Sequence, residues 1–538
     1  MNKTVWLQVA LLAGLGLNGV GAAHGQEAAA AVAETSGPAK APGEARFDVF
    51  EYRVEGATLL PVVVVEQAVY PHLGEQKTLA DVEKAREALE KAYHGAGYLT
   101  VLVSIPQQKV DGGVVKLAVT EAPVNRLRVV ESRYFSLGEI KAGVPELAEG
   151  TVPNFSQMQK ELAALNRSGD RKITPVLRPG KTPGTVEVDL KVKDRLPLHG
   201  NVELNDRYSQ DTTRTRLTAS LRWDNLWQKQ HGLGITAQTA PENPDESQVL
   251  AVNYTWPLAS GNYLALYGVL SESDIAAVGT LNVLGNGTIL GARYIVPLRS
   301  RGEGFFHTTT LGVDYKDFDQ SVNLIGSGGF NSPIRYLPFT LGWDGTWMGE
   351  GRRTRIGATF NFHLRGLVAD EQEFADKRFK GRPNYSFLRG TLSHEAAWPS
   401  GWGLAARGSW QLAAQPLISN EQFAIGGVNT VRGYLESAAL GEYGAALSLE
   451  GRTPNLAKTI AAAFDDLHLL AFVDGGHVRV IDPITADDRF TLAGAGVGLR
   501  FKGRGGVSGG IDWAVALKDR GTTAAGDSRA HFRLGYEW

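Results

Sequence analysis

The chain of 538 residues contains no cysteine, which excludes disulfides, thiolate nucleophiles and cysteine-bound metals, and suits an oxidising compartment. It also lacks an excess of either charge: 55 basic side chains stand against 57 acidic ones, so the footprint of a nucleic-acid binder is missing. Beyond residue 25 no stretch of 18 apolar residues occurs, so a membrane can be met only by strands. Eleven histidines form no H-E-x-x-H or comparable cluster, and no metal is expected. The nearest match to a phosphate loop, at Gly180-Lys181-Thr182, has Pro175 where its first glycine belongs. A literal G-x-S-x-G at residues 506–510 opens an alternating strand after a turn, not the strand-turn-helix that a nucleophile elbow needs. Catalytic residues and cofactors are therefore not expected. What is plentiful is glycine, at 64 residues, and tryptophan, at 11, a composition suited to a large antiparallel β structure with rings at membrane interfaces.

The N-terminus has the layout of a secretory signal peptide over residues 1–25. Lys3 gives the positive start, Val9 to Leu17 the short apolar core, and Gly21, Ala22 and Ala23 the small residues before cleavage between Ala22 and Gln26. A linker follows over residues 26–46. Gln26 to Glu34 is rich in alanine and can form two helical turns, and Thr35 to Arg46 is marked by proline and glycine.

From Phe47 the texture is that of a small α/β unit. FDVFEYRVEG alternates as a strand, PVVVVEQAVYPHLG holds a short helix, and residues 78–95 hold a strong one, with Thr78 as cap, Asp81 three residues on, and Val82, Ala85, Leu89 and Ala92 on one face. Two further strands are joined by the Asp111-Gly112-Gly113 turn, which gives β-α-α-β-β over residues 47–121. The pattern repeats over residues 122–194, where Phe155, Met158, Leu162 and Leu165 share a helix face that Gly169 should end. Two such modules after a signal peptide resemble POTRA domains, the periplasmic modules of the Omp85 superfamily. An edge strand of such a module can accept an extended peptide by β-augmentation, or the modules can act as spacers.

Residues 195–538 lose helical periodicity. RIGATFNFHL sets Ile356, Ala358, Phe360, Phe362 and Leu364 against a polar face, and the terminal HFRLGYEW does the same with Phe532, Leu534, Tyr536 and Trp538. Sixteen such segments are expected, with short turns such as LASG and PSG alternating with long loops, the pattern of a transmembrane β-barrel. The fold class is thus α+β together with transmembrane β: two POTRA modules and a 16-stranded antiparallel outer-membrane barrel. A final strand ending on Tyr536 and Trp538 resembles the C-terminal signal by which such barrels are recognised for assembly.

The longest link, about residues 412–440, lies between the eleventh and twelfth segments and contains GGVNTVRGY. Its Val431-Arg432-Gly433-Tyr434 resembles the Val-Arg-Gly-Phe/Tyr motif of the sixth extracellular loop in the Omp85 superfamily, which folds back into the lumen. The family's partner motif, Phe-x-Asp-x-Gly, is matched by Phe472, Asp474 and Gly476. The resemblance implies a lumen latch between Arg432 and Asp474, in which a planar guanidinium takes a carboxylate through two parallel hydrogen bonds. Gly433 would permit the tight backbone beside the arginine, and Gly426 and Gly427 the inward turn.

Two modules with a sixteen-stranded barrel most resemble the two-partner secretion transporters, the branch of the haemolysin and filamentous-haemagglutinin exporters. The resemblance implies capture of one large, unfolded β-helical partner protein by a POTRA edge, passage through the lumen, and folding outside, without a nucleotide. It also implies an outer-membrane location with the modules in the periplasm, contact with outer-membrane lipid, and help from the barrel assembly machinery and periplasmic chaperones during biogenesis. In this branch the segment before the first module often plugs the barrel, a role open to Gln26 to Glu34. An Omp85 assembly factor and a passive porin remain the alternatives, the first differing in its client and the second in needing neither modules nor latch.

Overall fold

A computed structural model describes residues 45–538 except 211, 274, 279–280, 301, 320, 323–329, 332, 369 and 461–462. The expected signal peptide and the linker up to residue 44 lie outside the described residues. The described residues divide into two units, one comprising residues 45–93 and 102–120 and the other residues 94–101 and 121–538.

In the first unit the opening strand is split. Phe47–Val49 pairs with Gly74–Lys77, whereas Glu51–Glu55 runs parallel to Val114–Thr120, which Leu102–Ser104 joins in antiparallel fashion. The break falls at Phe50, whose N–H turns to the Gly113 carbonyl while its ring lies over Gly113 at a spot where a Cβ would sit 2.5 Å from the ring. The helix Leu79–Gly95 buries Val82, Ala85, Leu89 and Tyr93, so Tyr93 takes the place expected of Ala92. Tyrosine wins because it carries more apolar surface into the core at the end of the same stripe. At the start of the helix both the N–H and the hydroxyl of Thr78 donate to the Asp81 carboxylate, which is held down to about 2 chiefly by the backbone bond. Burial of a valine or leucine is worth about 1.5–3 kcal/mol each and a cap about 1 kcal/mol. The buried face therefore dominates.

The second module has the same plan. Val124–Val130 runs parallel to Val186–Asp194, which pairs antiparallel with Arg171–Pro179. Helix Leu137–Ala142 is capped by Ser136, and helix Phe155–Leu165 by Asn154, whose side chain accepts from the N–H groups of Ser156 and Gln157. Met158, Leu162 and Leu165 are buried and Phe155 packs at the margin, but the helix stops at Leu165, ahead of Gly169. Asn166 closes it instead, exchanging bonds with the backbone of Ile173 in the next strand. Across the sheet the buried Asp189 binds Arg128 at 2.8 and 3.0 Å and also Arg178, and the Arg128 bond holds the carboxyl below its usual range.

The rest of the second unit is a closed antiparallel barrel of sixteen strands. Ile334–Tyr336 and Phe339–Gly349 both pair with Phe305–Asp319 and form one interrupted strand, the eighth. Strand 1 (Leu198–Asn205) closes on strand 16 (Ser528–Glu537) through five residue pairs, against eight or more in the other ladders that follow directly in sequence. Trp538 extends the seam: its backbone exchanges two hydrogen bonds with Gly200, and its ring covers the Gly200 Cα where any Cβ would clash. Alternate positions face outward as exposed apolar side chains, among them Leu221, Leu250, Leu270, Leu290, Phe360 and Leu534. Exposed Trp256, Trp347, Trp398 and Trp402 gather toward the short-turn end, as an interfacial aromatic girdle requires. The long loops follow the odd-numbered strands.

Candidate functional site

Strand 11 is Gly403–Ala413 and strand 12 is Tyr443–Arg452, so the sixth loop spans residues 414–442, shifted slightly from the expected 412–440 because pairing with strand 10 carries strand 11 on to Ala413 and strand 12 begins only at Tyr443. Within it Phe423–Ile425 and Ala439–Gly441 form a small hairpin. Phe423, Ile425, Val431 and Tyr434 are buried with Val478, Leu492 and Ala516 of the wall, so the loop carries its own apolar anchor. The tip is a glycine-dependent turn. Gly426, Gly427 and Gly433 have φ of 108°, 92° and 96°. A Cβ on Gly427 would lie 2.3 Å from the Glu436 carboxylate, whose oxygen accepts the Val428 N–H at 3.2 Å.

Arg432 is 1% exposed. Its Nε and Nη2 donate to the two oxygens of Asp474 at 2.7 and 2.9 Å, and its backbone N–H reaches the same carboxylate at 3.1 Å. The Phe472 ring lies under the guanidinium, 3.3 Å from carbon to centroid, a cation–π stack. Gly476 leaves room for Val431 and Ile425: a Cβ there would be 2.9 Å from the valine. Thus Phe472, Asp474 and Gly476, two apart on strand 13 (Phe464–Arg479), all serve the tip from one face. The Tyr434 hydroxyl bonds to the carbonyls of Ala493 and Lys518 at 3.0 and 2.8 Å, and the Gly433 N–H to His531 Nε2 at 3.2 Å. His531 in turn contacts Asp206 at 3.0 Å, so the tip touches both sides of the seam between strands 16 and 1.

Arg432 has partners that no motif announced. Nη1 reaches Glu450 at 3.2 Å and Asp512 at 3.4 Å, and Nη2 reaches Ser448 at 3.2 Å. These carboxylates have cations of their own. Glu450 pairs with Arg407 and Arg452 at 3.2 and 2.7 Å, and Asp512 takes two bonds from Arg500 at 2.6 and 2.7 Å. Four guanidinium groups therefore face three carboxylates. Buried charges are tolerated only when paired and bonded in this way. Asp474 differs from the other two: among the described contacts it has no partner except Arg432. Strand 14 (Arg489–Gly503) supplies a glycine floor, since a Cβ on Gly494 would sit 2.2 Å from the Arg432 carbonyl and one on Gly496 2.6 Å from Phe472. Beside the tip lies a polar cavity of about 420 Å³ lined by Glu203, Asn205, Arg407, Arg500 and Arg533.

Elsewhere, Asp170, His199 and Asp224 lie at metal-ligand spacing where the second module meets the barrel. Arg195 and Arg222 already occupy the carboxylates, at 2.7 and 2.9 Å. Burial alone would raise the Asp170 carboxyl, but the bonds from His199 and Arg195 hold it below its usual value, as expected of an ion-paired joint. Ser508 of the G-x-S-x-G match is the second residue of strand 15 (Val507–Ala516).

Comparison with known proteins agrees with this architecture. Residues 47–122 match the family model described as POTRA domain, ShlB-type, and residues 352–501 the model of the haemolysin secretion/activation protein ShlB/FhaC/HecB. The outer membrane transporter CdiB of Dickeya dadantii (strain 3937) is 24% identical over 454 residues, 80% of this chain and 76% of that protein. The heme/hemopexin transporter protein HuxB of Haemophilus influenzae is 21% identical over 383 residues, 68% of this chain and 65% of that protein. The solved structure of CdiB from Escherichia coli superposes with a TM-score of 0.61 at 19% identity, covering 94% of this chain and 93% of the other. Residues 47–122 and 352–501 are thus of the ShlB/FhaC/HecB type, and the chain has the architecture of the two-partner secretion transporters, an outer-membrane barrel with a POTRA module in the periplasm.

Proposed function

We propose that the protein exports one large β-helical partner polypeptide from the periplasm to the cell surface, and that Arg432 and Asp474 form the latch holding loop 6 in the lumen. In this reading residues 47–121 and 122–194 are periplasmic modules, and the first captures the unfolded client along a strand edge. Residues 195–538 are the conduit, with outer-membrane lipid around it. Tyr536 and Trp538 serve recognition by the assembly machinery, and no catalytic residue or cofactor takes part. The naming of relatives as transporters supports a transport role over an enzymatic one.

The observation that carries the latch is the unequal dependence of the three carboxylates. If the tip withdraws, Glu450 keeps Arg407 and Arg452, Asp512 keeps Arg500, and Asp474 alone is left unpaired. A wall so arranged can release the arginine and take it back without rebuilding itself, and the cost falls on one residue. Water entering the vacated site would solvate that carboxylate, which is far cheaper than leaving it buried.

The test is co-expression in an outer-membrane host with a large β-helical partner candidate encoded beside this gene. Partner in the medium only when this protein is present, with unrelated barrels assembling equally in both cases, is the expected result. A selective change in barrel assembly without export would turn the reading to an assembly factor. Arg432→Ala should sharply reduce secretion while heat-modifiable mobility shows an intact barrel, and Asp474→Ala should match it; wild-type secretion by both would remove the latch.

A further inference from the structure

The lumen of an outer-membrane barrel is ordinarily polar. Near its long-loop end this one carries an apolar patch as well. Val249, Val269, Ile289 and Phe387 alternate along their strands with exposed, outward-facing Leu250, Leu270, Leu290 and Leu388, so they point inward, and Phe318 joins them opposite Gly287, two residues from Ile289; all five are buried. What covers them comes from two loops. Helix Glu371–Lys377 of loop 5, between strands 9 and 10, contributes Phe374, 1% exposed, which packs on Tyr336, His363 and Tyr385. The root of loop 6 contributes Leu417 and Ile418, also 1% exposed. Apolar wall and apolar loops pack together inside the barrel on the side of strands 4–10, away from the Arg432 site on strands 12–15.

A single carboxylate ties the covering loops together. Glu442, fully buried at the end of loop 6, accepts Arg378 Nε and Nη2 at 3.2 and 3.0 Å and Gln422 Nε2 at 2.9 Å. Its other oxygen accepts the Ile481 N–H of loop 7 (residues 480–488) at 2.8 Å. Arg378, which directly follows the loop 5 helix, also donates to the Ile481 carbonyl at 2.7 Å. Loops 5, 6 and 7 are thereby pinned at one point. Nearby Glu421 binds Lys316 and Tyr336 at 2.6 and 2.7 Å, fastening the root of loop 6 to strands 7 and 8.

We propose that loops 5, 6 and 7 form a second closure of the pore, an outer gate locked by Arg378 and Glu442 and sealed by Phe374, Leu417 and Ile418, in series with the Arg432 latch. The inference rests on the export reading, since only a passing polypeptide requires this apolar seal to part. Arg378 and Glu442 are positioning residues: they hold the loops and touch no client.

Single-channel recording of the full-length protein in planar bilayers tests the gate without any client. Arg378→Met should raise the open probability about tenfold or more, because removing one member of a buried, bonded pair strongly favours separation of the loops. Phe374→Ser, which attacks the seal and leaves the ion pair intact, should act in the same direction. Two closures in series multiply, so Arg378→Met combined with Arg432→Ala should exceed either single variant by roughly the effect of the other. Heat-modifiable mobility would confirm an assembled barrel in each case, and Phe374→Ser decides if Arg378→Met does not assemble. Wild-type open probability in the assembled variants would overturn the gate, as would a double variant no more open than Arg432→Ala. A failed export assay would leave these recordings untouched, so the two readings fall separately.

Discussion

Two walls of the same lumen hold two parts of the same loop by different balances of charge and burial, since the tip adds buried Val431 and Tyr434 to its charges and the root adds Glu421 and Glu442 to its apolar contacts. On strands 12–15 the tip of loop 6 is held by charge, with Arg432 among Asp474, Glu450 and Asp512. On strands 4–10 its root is held by apolar burial, with Leu417 and Ile418 against Ile289, Phe318 and Phe387. Most charges of the polar wall keep a partner of their own without the loop. The apolar wall would face water along its whole surface if uncovered, and the penalty grows with area. The contrast teaches that a loop can be fixed at one end chiefly by directional contacts and at the other chiefly by undirected ones, and that the two ends need not let go together.

Amide exchange of the two segments is the sharpest way to break this comparison. Arg432→Ala should have the largest effect, bringing the amides of residues 426–434 close to free exchange while those of Leu417, Glu421 and Gln422 stay protected; equal loss at both would mean that the walls act as one. Phe374→Ala should do the converse at the root, since truncating a buried phenylalanine costs about 3–5 kcal/mol, and should spare the Gly433 amide bonded to His531. Arg432→Lys keeps the charge but loses the parallel bonds to Asp474 and the flat stack on Phe472, so tip protection should fall partway. Gly427→Ala should be smallest, loosening the tip by about 1–3 kcal/mol because alanine must adopt a φ of 92° with its methyl against Glu436. Unchanged exchange at residues 426–434 in that variant would show the turn to be more tolerant than its geometry implies.

The parts legible in the sequence were those with a local signature. Period-two alternation gave the sixteen strands, and the paired motifs gave Arg432 and Asp474. Phe472 was readable as part of the motif but not as the ring stacked beneath the guanidinium. Glu450 and Asp512 were hidden, because nothing local to a strand says which inward residue on another strand will stand opposite a loop. The glycine floor of Gly494 and Gly496 looked like an ordinary alternating segment. Phe374 and Leu417 were hidden for a different reason: apolar residues in a barrel loop carry no sign of whether they meet lipid, water or the inside of the pore. In the modules, the break at Phe50 and the choice of Tyr93 over Ala92 were settled by packing with distant residues that periodicity does not reach.

The seam between strands 1 and 16 carries five residue pairs, and the tip of loop 6 bonds to His531, itself joined to Asp206 just past strand 1. In mechanical terms the barrel is a hoop with one short joint, and the loop is a splint laid across that joint from within. If the tip were drawn out, the splint would go with it, so the stiffness of the wall would become a property of where the loop lies.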